Sequence, residues 1–288
     1  MRLALVQQYA SHEKQANVRR GLEALEAAAA RGAQLVCFAE LAFERFHPQT
    51  PPRGDVSALA EPIPGPTVDA FRAAAARLGV VVVLNLFERE GARTYDTSPV
   101  IDADGRLLGT TRMLHVAQMP HFYEQGYYTP GDHGMPVYET SAGRIGVAIC
   151  YDRHYPEVMR SLGLQRADVV VVPQAGMVGE WPDGLYEAEL RVAAFQNGYF
   201  TALANRVGEE PSMTFAGESF VCDPFGRVIA RGPAAGEAIV YADLDLEQLA
   251  ACHARQLFLR DRRADIVPSL LNLSESRVPN PESRIPEA

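Results

Sequence analysis

Ile145-Gly146-Val147-Ala148-Ile149-Cys150-Tyr151-Asp152-Arg153-His154-Tyr155-Pro156-Glu157 is the stretch on which the reading of this chain turns. An apolar strand, Ile145 to Ile149, runs into a thiol, and a helix with proline at its first position opens soon afterwards. A strand, a sharp turn and a helix in that order make a nucleophile elbow. The turn exposes the sulfur and leaves the next backbone N–H, that of Tyr151, free to point at an oxyanion. An ordinary buried cysteine at a strand end fits the same residues. Cys37, Cys222 and Cys252 fit that plainer description better, because none is followed by a polar elbow and a Pro-started helix.

Short β-branched runs alternate with alanine-rich helical stretches on both sides of this segment. Upstream, strands are expected at Leu3 to Gln7, Gln34 to Phe38, Val80 to Leu84, Tyr95 to Ile101 and Arg106 to Gly109. Helices are expected at Glu13 to Arg31 and at Thr67 to Leu78, with Thr67 as N-cap. Asp102-Ala103-Asp104-Gly105 signals a hairpin. Downstream, Val137 to Glu139 precedes the elbow strand, a helix spans Pro156 to Leu164, and strands follow at Val169 to Val172 and Tyr199 to Ala204. Leu185 to Asn197 reads as a helix, Asp223-Pro224-Phe225-Gly226 as a second hairpin, Ala238 to Ala242 as the last strand and Leu246 to Leu259 as the last helix. Two β-rich halves with helices outside them predict an α/β fold: a four-layer α-β-β-α sandwich, two facing mixed sheets flanked by helices. No linker interrupts the pattern, so residues 1–268 read as one domain. Residues 269–288, with Pro279, Pro281 and Pro286, read as an extended C-terminal tail.

Composition narrows the function. The 288 residues are 47% hydrophobic and 22% charged, which excludes a disordered or collagen-like chain. A formal charge of −9 disfavours nucleic acid and anionic membranes as partners. No apolar run approaches the ~20 residues of a membrane span. The four scattered cysteines suit reduced thiols of a cytoplasmic protein and form neither a disulfide frame nor a zinc site. Lys14 is the only lysine in the chain.

The blocks together are similar to the nitrilase superfamily of carbon–nitrogen hydrolases, over the chain to about Arg263. The resemblance rests on Leu35-Val36-Cys37-Phe38-Ala39-Glu40-Leu41, on Phe122-Tyr123-Glu124 with Thr129-Pro130-Gly131-Asp132, and on the elbow. Arg191 to Asn197, Asn205-Arg206-Val207-Gly208, Gly217-Glu218-Ser219, Pro224-Phe225-Gly226 and Asp261-Arg262-Arg263 continue it. It implies that Cys150 attacks an amide or nitrile carbon to form a thioester or thioimidate, and that Glu40 serves first as base and then as acid. Glu124 matches a second glutamate that orients the catalytic groups. The Phe122-Tyr123-Glu124 block resembles the amidase and N-carbamoyl amidase branches, which implies hydrolysis of a small linear amide or N-carbamoyl amine, with no metal or organic cofactor. Family members commonly dimerise through helices beside the active site, so a homodimer or higher homo-oligomer is expected.

One position departs from the family. Matching forward from Asp104-Gly105 and backward from Thr129-Pro130-Gly131-Asp132 puts the family's oxyanion-stabilising lysine at Met113. Losing one oxyanion donor costs about 10²- to 10³-fold in rate. Three explanations stand side by side: a neighbour replaces the ammonium, the lysine was deliberately exchanged, or the chain binds without turnover. On a continuing strand Arg112 faces away, whereas His115 shares the face of Met113 and is the better substitute. Met113 itself fits as a flexible apolar filler. Arg153, His154 and Trp181 are candidate substrate-binding residues. A catalytically inactive small-molecule-binding protein of the same fold and a true nitrilase are the alternatives.

Overall fold

A computed structural model describes residues 1–267; the tail expected at 269–288 lies outside the described residues. Along the chain the elements are β1 (Arg2–Gln7), α1 (Lys14–Ala30), β2 (Leu35–Phe38), α2 (Pro66–Leu78), β3 (Val81–Val83), β4 (Leu86–Glu90), β5 (Arg93–Ile101) and β6 (Leu107–Arg112). After the short hairpin β7 (Gln118–Met119) and β8 (Phe122–Tyr123) come β9 (Val137–Thr140), β10 (Gly143–Val147), α3 (Pro156–Leu164), β11 (Val169–Gln174), α4 (Leu185–Asn197) and β12 (Phe200–Asn205). The hairpin β13 (Val207–Glu210) and β14 (Met213–Ala216) is followed by β15 (Phe220–Cys222), β16 (Val228–Arg231), β17 (Ala238–Asp243) and α5 (Gln248–Ala251).

The strands form two main sheets. One runs β17-β1-β2-β3-β5-β4 with β6 added on β5; the other runs β16-β15-β12-β11-β10-β9. Each is built round three parallel strands, β1-β2-β3 and β10-β11-β12, flanked by antiparallel neighbours.

The layering follows from the two-residue period of a strand. Leu3 and Leu5 of β1, Leu35 and Cys37 of β2, and Val81 and Val83 of β3 share one core with Ile145, Val147, Val169 and Val171 of the facing sheet. The alternate residues Ala4, Val6, Val36, Phe38 and Val82 join α1 and α2 in a second core. Val170 and Val172 join α3 and α4 in a third. Strands buried on both faces must be apolar throughout, which explains the continuous valine runs. This is the α-β-β-α sandwich.

The structure departs from the sequence expectation in detail. Thr67 lies inside α2, whose N-cap is Gly65; the Glu61 carboxylate accepts the Thr67 N–H at 3.2 Å in its place. Strand β4 and the hairpins β7–β8 and β13–β14 carry no strong two-residue apolar alternation and escaped the reading. The expected last helix is broken at Cys252, whose backbone is extended, and continues as a π-helical turn over Ala254–Phe258. Arg255 explains the break: its guanidinium reaches Gly198 O and Ala167 O, both at 2.8 Å, and Asp168 at 3.3 Å. Docking onto those carbonyls overrides helix propensity.

Candidate active site

Strand β10 ends at Val147, two residues before the expected Ile149, although Ala148 N–H still donates to Val171 O at 3.1 Å. Cys150 follows with φ +41°, a conformation an L-residue adopts only when the surroundings enforce it. It opens a 3₁₀ turn, Cys150–His154, in which Asp152 N–H closes onto Ile149 O at 2.8 Å. Tyr151 precedes that first closing bond, so its N–H has no acceptor within the turn. Arg153 braces the elbow from behind, donating to Cys150 O at 2.8 Å and Gln174 Oε1 at 2.6 Å.

Glu40 follows β2, at the same end of its sheet as a topological crossover would place a site. Leu41 after it also takes positive φ (+45°), and its N–H donates to Asn85 Oδ1 at 2.8 Å. The buried Arg206 guanidinium clamps this second elbow, donating to Glu40 O at 3.0 Å, to Leu41 O, to Glu44 O at 3.0 Å and to Glu210 Oε1 at 2.5 Å. Four hydrogen bonds, one to Asn85 and three from Arg206, fix the backbone there and hold the Glu40 carboxyl in one place.

That carboxyl is fully buried and faces both the Cys150 thiol and a second carboxyl, that of Asp96 on β5. Asn85 holds Asp96 by donating to its Oδ1 at 2.5 Å. No N–H or hydroxyl donor reaches Asp96 Oδ2 or either Glu40 oxygen, so what Glu40 meets is the Asp96 carboxyl and the Cys150 thiol. Two carboxyl groups meeting this way lack a donor unless one proton lies between them, as like charges in a dry site disfavour double ionisation. Glu124 completes the group: its Oε2 accepts Ala117 N–H at 2.9 Å and its Oε1 is unpartnered. Burial, and then the charges of Asp96 and Glu124, pushes Glu40 well above the ordinary carboxylate range. Burial raises Asp96 to about 7 and Glu124 to about 8. The thiol is raised too, by burial first and then by Glu40 and Glu124, with Arg153 opposing.

Met113 sits fully buried in the same core as Cys150, Phe122 and Tyr128. Its N–H donates to Asp96 O at 2.9 Å and its carbonyl accepts Gly131 N–H at 2.7 Å, so its backbone is fixed. Arg112 turns away, as expected, into a two-pronged pair with Glu88 at 2.8 and 2.7 Å and onto the Tyr95 ring. The expectation for His115 needs correction. Strand β6 ends at Arg112, so the alternation that would put His115 on the face of Met113 stops before it applies. Asp152 captures His115 instead, accepting its N–H at 3.0 Å and pairing with its Nδ1 at 2.7 Å, while the imidazole stacks on Tyr155.

The remaining candidates gather on the outer side of the elbow. Arg153 reaches Glu189 at 3.3 Å, and His154 Nδ1 meets the same carboxylate at 2.5 Å. The His154 ring contacts Trp181 edge-on. The structure therefore brings Glu40, Glu124 and Cys150 together, buries Met113 in the core that Cys150 shares, and places His115, His154 and Trp181 on other contacts. Asp96 is the member that sequence reasoning missed. Its signal was present: Asp96-Thr97-Ser98 is a polar run inside a strand otherwise fit for burial, and a buried carboxylate in such a run needs a reason.

Comparison with known proteins bears on the chemistry. The carbon–nitrogen hydrolase family profile matches residues 2–254. The chain belongs to the carbon–nitrogen hydrolase family. It is 33% identical over 276 residues to the N-carbamoylputrescine amidase of Solanum lycopersicum, covering 90% of this chain and 91% of that one. It is 30% identical to a nitrilase of Pyrococcus abyssi, with 81% and 85% of the two chains covered. Among solved structures, a carbon–nitrogen hydrolase from Helicobacter pylori superposes with a TM-score of 0.85 at 29% identity, over 95% of this chain and 99% of that one. A variant of the Nesterenkonia sp. AN1 amidase, whose active-site cysteine has added acrylamide, superposes with a TM-score of 0.79 at 26% identity, over 94% and 99%. The protein is thus a carbon–nitrogen hydrolase of the amidase-like part of the nitrilase superfamily. Among the described residues no helix is long and apolar enough to cross a membrane.

Proposed function

We propose that this hydrolase cleaves the C–N bond of a small linear amide or N-carbamoyl amine through a thioester on Cys150. The observation that supports the reading is the meeting of a strained, elbow-borne thiol with the buried Glu40 carboxyl. As the sulfur bonds to the carbonyl carbon, its proton passes to ionised Glu40, and the electron pair of the C=O bond moves to oxygen. The Tyr151 N–H faces that oxyanion. Glu40 returns the proton to the nitrogen, the C–N bond breaks and ammonia or amine leaves. Water then adds to the thioester, giving its proton to Glu40; as the C=O bond re-forms, the C–S bond breaks, the acid product leaves and Glu40 returns the proton to sulfur. Glu124 holds the Ala117 segment beside the acid and so serves to orient it. Arg153 and His154 follow Cys150 in the same turn and Trp181 touches the His154 ring, which makes these three the substrate contacts of this reading.

The chain's relatives support the substrate class: the Solanum lycopersicum enzyme is named for an N-carbamoyl amine. Ammonia release from short amides and N-carbamoyl amines, with Cys150→Ala as background, tests the proposal. Release above that background, with an acyl adduct on Cys150 by intact mass, is the expected result. No release and no adduct on any compound overturns it and favours a non-catalytic binder.

The reading extends to a cytoplasmic homodimer whose hydrolase unit ends near residue 268. Four free, buried thiols suit a reducing compartment. The apolar residues Leu164, Leu185, Val192 and Phe195 stand exposed along α3 and α4 beside the elbow, as a face covered by a second copy would.

A further inference from the structure

Glu40, Asp96 and Glu124 are 0%, 1% and 0% exposed, and no N–H or hydroxyl donor reaches four of their six oxygens. The cations that could answer them are engaged elsewhere. Lys14 pairs with Glu44 and Glu61, Arg112 with Glu88 and Glu90, Arg206 with Glu210 and backbone carbonyls, and Arg153 with Cys150 O, Gln174 and Glu189. Among the described residues, no lysine or arginine hydrogen-bonds to any of the three. At the register where the family carries an ammonium stands Met113, fully buried in the core that Cys150 shares, with its backbone N–H on Asp96 O. A thiol surrounded in this way is poorly equipped for an anionic tetrahedral adduct, which acids repel and an ammonium would stabilise. It is well equipped for a substrate that brings its own positive charge.

From this arrangement we infer that the site accepts, in preference to neutral amides, small amidines or guanidines, whose reacting carbon is flanked by nitrogens sharing one positive charge, and hydrolyses them to the amide or urea and ammonia. A planar N–C–N cation presents several N–H donors to carboxylate oxygens, and once the proton between Glu40 and Asp96 has left, four oxygens of Glu40, Asp96 and Glu124 that no protein N–H reaches can accept them. No group of three or more His, Cys, Asp and Glu among the described residues is arranged to hold a metal ion.

The chemistry balances without an oxyanion at the first step. As the cation binds, the proton between Glu40 and Asp96 leaves to solvent, so that Glu40 is ionised. The Cys150 sulfur bonds to the cationic carbon, its proton goes to Glu40, and the C=N pair moves onto nitrogen, giving a neutral diamino adduct. Glu40 hands the proton to one nitrogen, the C–N bond breaks and ammonia leaves. What remains is a thioimidate cation. Water adds to it, giving one proton to Glu40; a carbonyl then forms from the remaining hydroxyl, whose proton passes to solvent, where the released ammonia becomes ammonium. The C–S bond breaks, and sulfur recovers its proton from Glu40. Met113 contributes space: its unbranched side chain can shift to admit the planar group.

The inference rests on the thiol mechanism proposed above, and the test separates the two. Acetamidine is compared with acetamide, and methylguanidine with methylurea, so that each pair differs in NH₂⁺ against O. Ammonia release is followed together with Cys150 adducts by intact mass. The expected result is a kcat/KM at least tenfold higher for each cation than for its neutral partner. Asp96→Asn should reduce that preference at least tenfold, and Met113→Lys should reverse it. Protection of Cys150 from iodoacetamide by acetamidine, at concentrations where acetamide gives none, reports the same preference without turnover and in variants too slow to assay. Preferential hydrolysis of acetamide and methylurea, with equal or weaker protection by acetamidine, overturns the inference and leaves the thiol mechanism standing. No release and no adduct from any of the four overturns both.

Discussion

Replacing Asp96 by asparagine keeps the shape of the side chain and the acceptor for Asn85, and removes one proton-binding group from the centre of the site. The carboxyl is buried and raised from 3.8 to about 7, with burial as the main cause. A raised carboxyl binds its proton more tightly in the folded chain than in the unfolded one. Its stabilising contribution is therefore full below the unfolded value near 4 and is lost as pH rises toward 7. The difference of about 3 units at 1.36 kcal/mol each gives about 4 kcal/mol over that whole interval. Between pH 5 and pH 7 about two units remain, or about 3 kcal/mol. Asparagine has no such term. Urea unfolding of both proteins at pH 5, 6, 7 and 8 should show the variant gaining on the parent by about that amount from pH 5 to 7, then levelling off. A stability difference constant to within about 0.5 kcal/mol across the series would refute the claim that Asp96 meets Glu40 in a dry, uncompensated contact.

Alkylation should find Cys150 before the other thiols: Cys37, Cys222 and Cys252 are fully buried, burial raises Cys37 and also Cys222, to about 11, and the Glu40 carboxyl meets Cys150 and can take its proton. Peptide mapping after brief iodoacetamide treatment should show this order, and Glu40→Gln should slow labelling of Cys150 at least tenfold. Arg206→Met removes the clamp on the Glu40 elbow and leaves Glu210 buried without its main charge partner, so a loss of about 3–5 kcal/mol is expected in denaturant unfolding. Val192→Asp, placed on the exposed apolar face of α4, should shift the sedimentation profile to monomer and leave the secondary structure by circular dichroism unchanged.

Much of the fold was legible because its signals are local. The valine runs of β3 and β11 can only be strands buried on both faces, and α3 and α4 carry the expected bounds, Pro156–Leu164 and Leu185–Asn197, because a proline and a glycine punctuate them. The elbow at Cys150 and the acid after β2 were readable for the same reason: each stands where an apolar strand stops. Strand β4 and the hairpin β13–β14 were not readable, since each strand is only four or five residues long and offers at most two apolar residues in alternation. The break at Cys252 was hidden because Arg255 docks on carbonyls far away in the chain.

By itself the sequence determined the elements, their alternation, the thiol and the acid, and it determined that no lysine stands between them. Tertiary structure decided which groups meet. Strand β6 stops at Arg112, which sends His115 to Asp152, and β5 carries Asp96 to the face of Glu40. The reason is physical. Periodicity and breakers act over a few residues and are written in order along the chain, whereas the charge balance of a buried site is a sum over side chains from different strands. That sum exists only once the two sheets have closed on each other and excluded water.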